Sequence, residues 1–231
     1  MPVPDPMDAR MEAVIQSCGT RSVADLLLSL LRSAAASSNH ASLLDPWPHC
    51  PGDARLTRTE LLAIIDGMEL PPTREWLARH RRSMVVLEYG LGSMASLVEV
   101  ASFQAWAAVR DRADTIVGPF HRPDFYFSVL QEGNTPDGPC TRYAFHGSSC
   151  PNFHTILPQG LRRTRNRRAA FGAGTYLTSD LSVAMGFSKM DRTWAKCPTE
   201  KISIVAVCKV IHVIYIWIYI CDIYIYIYAT D

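Results

Sequence analysis

The chain has 231 residues, with 23 Lys plus Arg against 22 Asp plus Glu and a formal charge of +1. That balance removes any general electrostatic case for nucleic acid or anionic lipid, so a basic site must be local. Apolar residues at 48% and charged residues at 19% exclude a wholly disordered or collagen-like chain. The length admits one large domain or two small ones. Seven cysteines, an odd number scattered without dense spacing, point to a reducing compartment rather than a disulfide scaffold. Asp5, Asp8 and Glu12 stand where a secretion signal needs positive charge.

Residues 1–21 carry no strong periodic signal and are expected to be disordered. Val23, Leu26, Leu27, Leu30 and Leu31 fall on one helical face over 22–36, with Ser22 and Asp25 spaced as a capping box. Three prolines in the eight residues from Asp45 to Gly52 predict an irregular loop. A second capping box, Thr57 with Glu60, opens a helix that Gly67 closes, and Thr73 caps another carrying Trp76, Leu77 and Met84. Ser93 to Val109 also suits a helix, so 22–115 is expected to be a helical domain.

After Gly118 and Pro119 the pattern changes. Asp124–Leu130, Arg142–His146, Thr175–Thr178 and Lys201–Ile211 are apolar or β-branched runs bounded by turn residues, which predicts strands. Asn152–Leu157 and Asp180–Phe187 suit short helices between them. The fold class is therefore α+β, an N-terminal helical region followed by a sheet.

Two glycine-centred segments carry the chemistry: YAFHGS over 143–148 and FGAGTYLTSD over 171–180. Gly147 lets the backbone approach a ligand closely, so that its N–H and C=O grip a planar amide. His146 can bond a sugar hydroxyl, and Tyr176 offers an aromatic face for a heterocycle. Carboxamide, ribose and ring together describe nicotinamide riboside. Read alone, Tyr176 is more often a buried strand tyrosine, and it is the ordered pair of motifs that favours a ligand.

These two motifs, with NFHTILPQGL and AVCKVI, resemble the catalytic domain of the PARP family, the diphtheria-toxin-like ADP-ribosyltransferases. Within the family the sequence is similar to the tail-anchored mono-ADP-ribosyltransferase of the endoplasmic reticulum. The resemblance implies an ADP-ribosyltransferase-type mixed sheet over 120–211 and NAD as co-substrate. It implies that His146 binds the adenosine ribose of NAD, that Gly147 and Ser148 complete that motif, and that nicotinamide stacks on Tyr176 and Phe187. Ala184 stands where many members have a serine that bonds the carboxamide. Arg162, Arg163, Arg165, Arg167 and Arg168 match the segment over the adenosine side. Arg165 and Arg168 are candidates for the pyrophosphate, beside the alternatives of a solvated loop and of a nucleic-acid patch. Cys140, His146, Cys150 and His154 can be written as a zinc quartet, but their spacing lacks the usual pairs, and no metal site is assigned.

The family's third triad position lies on a later strand, and nothing in this sequence matches it. The chain instead ends in VIHVIYIWIYICDIYIYIYATD, where isoleucine and tyrosine alternate. Residues 212–231 are therefore expected to be an aberrant tail and the catalytic domain to be truncated at its C-terminal end. As a strand the tail is apolar on both faces and, if exposed, prone to aggregate. As a membrane helix it carries Asp222 in the run. The resemblance implies mono-ADP-ribosyl transfer to protein side chains, self-modification included, with no specific nucleic acid. It also implies the cytosolic face of the endoplasmic-reticulum membrane, or a soluble cytoplasmic location if the tail is no anchor. The alternative is a catalytically inactive NAD-binding or scaffolding isoform.

Overall fold

The computed structural model describes residues 6–49, 55–102, 104, 107, 123–129, 141–162, 174–212 and 218–230. Six helices come first: α1 (Pro6–Ser17), α2 (Arg21–Ala36), α3 (His40–Leu43), α4 (Arg58–Asp66), α5 (Arg74–Arg79) and α6 (Arg81–Ala95). Strands β1 (Val98–Val100), β2 (Phe125–Val129) and β3 (Thr141–Gly147) follow, then α7 (Cys150–Gln159) and α8 (Leu181–Phe187). Strands β4 (Asp191–Arg192), β5 (Lys201–His212) and β6 (Ile218–Thr230) complete the order.

Local chemistry explains most boundaries. The Thr57 hydroxyl accepts from the Glu60 amide while the Glu60 carboxylate accepts from the Thr57 amide at 2.8 Å, a closed capping box at the start of α4. Thr73 caps α5 by accepting from Trp76 N at 3.1 Å. The box expected at Ser22 and Asp25 does not form. α2 begins a residue earlier, behind Thr20, and the Asp25 carboxylate turns to Arg21 and Trp194 instead. The N-terminal segment, expected to be disordered, forms α1 because Met11 and Val14 are buried in the core. The helix expected over Ser93–Val109 is interrupted, since Gln104 and Ala107 are helical again beyond a strand. α6 stops at Ala95, and Val98–Val100 pairs with β2.

The sheet runs β1-β2-β6-β5-β3, with β4 on β5. Every pairing among the described residues is antiparallel, whereas the resemblance implied a mixed sheet. β6 lies between β2 and β5, its backbone paired along both edges, so the strand hazard of an open edge does not arise there.

Residues paired across antiparallel strands share a face. Phe127, Val129, Ile204, Ala206 and Cys208 join the helices in one large core. Tyr126, Phe145, Val205 and Val207 join Leu181 and Ala184 of α8 in a smaller cluster on the other face. β5 is covered on both sides, which explains its unbroken apolar run. The register places positions 223, 225 and 227 of β6 on the helical face and positions 224, 226 and 228 on the α8 face.

Candidate active site

His146 and Gly147 end β3, an edge strand. Phe145 exchanges both backbone bonds with Thr178, at 2.7 and 3.0 Å, and this single bridge docks the 174–178 segment against that edge. Backbone groups alternate in direction along a strand. The N–H and C=O of Gly147, two residues beyond Phe145, therefore point to the same side, past the bridge. There they present one donor and one acceptor side by side, the complement of a primary carboxamide.

The reason for glycine at 147 differs from the one the sequence suggests. A Cβ at this position would lie 1.7 Å from the carbonyl oxygen of Ala184. It is the backbone of α8, rather than a ligand, that occupies the side-chain position. Asp180 caps α8 by accepting from Ser182 N at 2.8 Å, and Leu181 and Ala184 bury its inner face. Phe187, the last residue of α8, is 67% exposed.

The two motifs meet directly. His146 Nδ1 lies 3.0 Å from the backbone carbonyl of Tyr176. A carbonyl only accepts, so Nδ1 carries the proton. Burial holds the His146 pKa below its ordinary value, against the opposing pull of the Tyr176 carbonyl. The ring is thus neutral at pH 7 and its Nε2 is left as an acceptor, the form that takes a sugar hydroxyl. Tyr176 is half-buried. Ser148 accepts from Asn152 Nδ2 at 2.8 Å, which ties the end of β3 to α7.

Of the predicted site residues, His146 and Gly147 end β3 with Ser148 next to them, Tyr176 meets His146 through its backbone carbonyl, and Phe187 ends α8. Arg165 and Arg168 lie outside the described residues, as do Arg163, Arg167 and Cys140. Arg162 donates to the Gln159 carbonyl at 3.2 Å. The zinc quartet does not assemble from its described members. The Cys150 thiol donates to the Ile202 carbonyl at 3.4 Å, and His154 lies against Tyr89. Burial pushes the thiols of Cys18 to about 11 and of Cys150 and Cys208 to about 12, so none of the three is a nucleophile near neutral pH.

Sequence reasoning missed the fastening of α8. Ser188 and Ser203, both buried, approach to 2.8 Å through their hydroxyls, and Ser203 also donates to the Ser188 carbonyl at 2.8 Å. Two serines fifteen positions apart give no periodic signal, so only the fold reveals the pair. A cavity of about 210 Å³ lies on the other face, between α2 and the sheet, lined by Arg21, Asp25, Ser29, Phe127 and Cys197 among others. Arg21, Asp25 and Ser29 there already bond within the protein.

The profile of the poly(ADP-ribose) polymerase catalytic domain matches residues 120–216. The human protein mono-ADP-ribosyltransferase PARP16 is 34% identical over 203 residues, which are 81% of this chain and 62% of that protein. Its mouse counterpart is 32% identical over 220 residues, 89% of this chain and 68% of that protein. Mouse PARP8, also a protein mono-ADP-ribosyltransferase, is 40% identical over 55 residues, 22% of this chain and 6% of it. The chain thus spans about two thirds of the length of the first two relatives. With the β3 edge, the glycine under α8 and the paired His146 and Tyr176 motifs, this similarity over most of the chain shows that it belongs to the PARP family of ADP-ribosyltransferases.

Proposed function

We propose that the chain is an NAD-dependent protein mono-ADP-ribosyltransferase, with 120–211 as its catalytic part and 22–115 as a helical support. The observation that supports this reading is that the Gly147 N–H and C=O lie on the side of β3 away from β5, next to the contact between His146 and Tyr176. NAD supplies an ADP-ribosyl group on a leaving nicotinamide: the C1″–N bond breaks with its electron pair going to the pyridine nitrogen, and a heteroatom of a protein acceptor bonds to C1″ and loses its proton to solvent. Gly147 holds the carboxamide, while Tyr176 and Phe187 hold the ring. His146 accepts from the adenosine ribose through Nε2, and Ser148 completes that side. Arg165 and Arg168 face the pyrophosphate in this reading, as the resemblance implies. Fixing both ends of NAD orients the scissile bond, a positioning effect. Self-modification is among the expected products.

The test is transfer of label from tagged NAD onto the purified chain and a cell extract. Label that falls at least about 100-fold in Tyr176→Ala, about 3 kcal/mol of transition-state stabilisation, supports the assignment, and undiminished labelling by that variant removes Tyr176 from the site.

A second reading, an NAD-binding protein that transfers nothing, is favoured by the unmatched third triad position. NAD-dependent thermal stabilisation without label is its signature. The register places Gly147, Val205 and Tyr226 in one row across β3, β5 and β6. Tyr226→Phe therefore asks whether the tail contributes a phenol to transfer. A place at the endoplasmic-reticulum membrane rests on the resemblance alone. Among the described residues no helix is long and apolar enough to cross a membrane.

A further inference from the structure

α2 buries twelve of its sixteen residues, and all but three of these are Val, Ala or Leu. The exceptions, Asp25, Ser29 and Ser33, are spaced four apart and form one polar stripe on a helix otherwise built for a core. Each is at most 7% exposed. All three meet the connection between α8 and β5. The Asp25 carboxylate accepts from Trp194 Nε1 at 3.0 Å, Ser29 lines the same cavity as Cys197, and Ser33 donates to the Asp191 carboxylate. Two further contacts come from the same layer. Asp66 accepts from Ala195 N at 3.1 Å, and Arg21 donates to the Lys196 carbonyl at 3.3 Å.

Burying a carboxylate is costly, and a leucine at position 25 would pack without that cost. Asp25 is compensated by Arg21 Nε at 2.9 Å and by Trp194, itself 1% exposed. The directional bond fixes one rotamer and one height of the Trp194 ring, which dispersion alone does not. The fastened segment begins where α8 ends: Phe187 is followed by Ser188, clamped to Ser203, and then by Asp191 and Trp194. The connection is therefore tied to β5 at one end and to the helical layer along its middle.

We propose that the Asp25–Trp194 contact is a latch through which the helical layer sets the position of α8, which makes Asp25 a positioning residue for the nicotinamide end of the site. The inference rests on the NAD reading for its functional consequence, while the ties between α2 and the 191–197 segment stand on the contacts alone. Nothing in it requires Asp25 to touch substrate. Displacement of the Trp194 ring moves the 191–197 segment, and the shift reaches Phe187 and the Ala184 carbonyl over Gly147.

The test uses the full chain, with Trp194→Phe to remove the donor but keep an aromatic ring, Asp25→Ala to remove the acceptor, and Leu61→Ala as a buried core variant that removes none of these hydrogen bonds. Amide hydrogen exchange over 181–190 and nicotinamide affinity by calorimetry are read below all melting temperatures. The latch predicts about five-fold faster exchange over 181–190 and about five-fold weaker nicotinamide binding in Trp194→Phe and in Asp25→Ala. It predicts neither change in Leu61→Ala, and it predicts that the double variant loses no more than the larger single loss. Unchanged exchange over 181–190 in Trp194→Phe, or additive losses in the double variant, overturns it. Failure of the wild-type chain to bind nicotinamide counts against the NAD reading instead, and the exchange data then decide the coupling by themselves.

Discussion

The two faces of the sheet are built to different standards. The helical face shares one continuous core with α1 to α7, including Leu27, Leu30, Leu61, Leu87 and Phe153. Among the described residues, the other face carries a smaller cluster, in which Tyr126, Phe145, Val205 and Val207 meet Leu181 and Ala184 of α8, with Ala101 and Ala107 packed against it, while Val183 and Phe187 of α8 are exposed. Most of the buried apolar side chains described therefore lie on the first face, and the exposed Phe187 ring lies on the second.

The contrast breaks if core and site variants behave alike. Leu87→Ala, at 1% exposure on α6, is expected to cost about 4 kcal/mol in denaturant unfolding, with nicotinamide affinity unchanged below the transition. A loss of affinity in step with stability would mean that the faces are not separable. Gly147→Ala forces Ala184 and its helix away from β3 and is expected to cost about 3 kcal/mol. Nicotinamide binding should be lost even where the chain remains folded, and retained binding would detach Gly147 from the site.

Acid sharpens the same comparison. His154 lies on the helical side, and burial pushes its pKa down to about 4, against a backbone contact to Leu43 that raises it. Between about pH 6.5 and pH 4 the unfolded chain takes up a proton that the folded chain refuses. This site's contribution to stability is therefore lost as the pH falls through that window, by up to about 1.4 kcal/mol per pH unit. His146 acts with the same sign, since burial lowers its pKa as well. His154→Leu should flatten the dependence of unfolding free energy on pH, and an unchanged slope would contradict the account. The smallest effect is expected at Thr57→Ala, where loss of the capping box costs about 1 kcal/mol and leaves nicotinamide binding intact.

Much of this was legible from the chain. Local signals survived wherever one residue acts on its neighbours: the Thr57 box and the Thr73 cap form where the spacing places them. Alternation and apolar runs located β2, β3 and β5, and the two glycine-centred motifs do meet, through the His146 ring and the Tyr176 carbonyl. Signals failed where a distant partner won. Asp25 has the spacing of a cap residue yet bonds Trp194 across 169 positions. Val98–Val100 leaves the helical pattern because β2 is available to pair with it. The Ile/Tyr alternation does not say which strands it joins, and the pairing of β6 with β2 and β5 appears only in the fold.

The central claim is that the open edge of β3 at Gly147 receives a carboxamide. The most direct measurement is the amide resonance of Gly147 in the nitrogen-15-labelled chain as nicotinamide is added. The account predicts a saturable shift at Gly147 that is lost in Tyr176→Ala. Saturable nicotinamide binding that leaves the Gly147 amide unmoved would place the ligand elsewhere and contradict it.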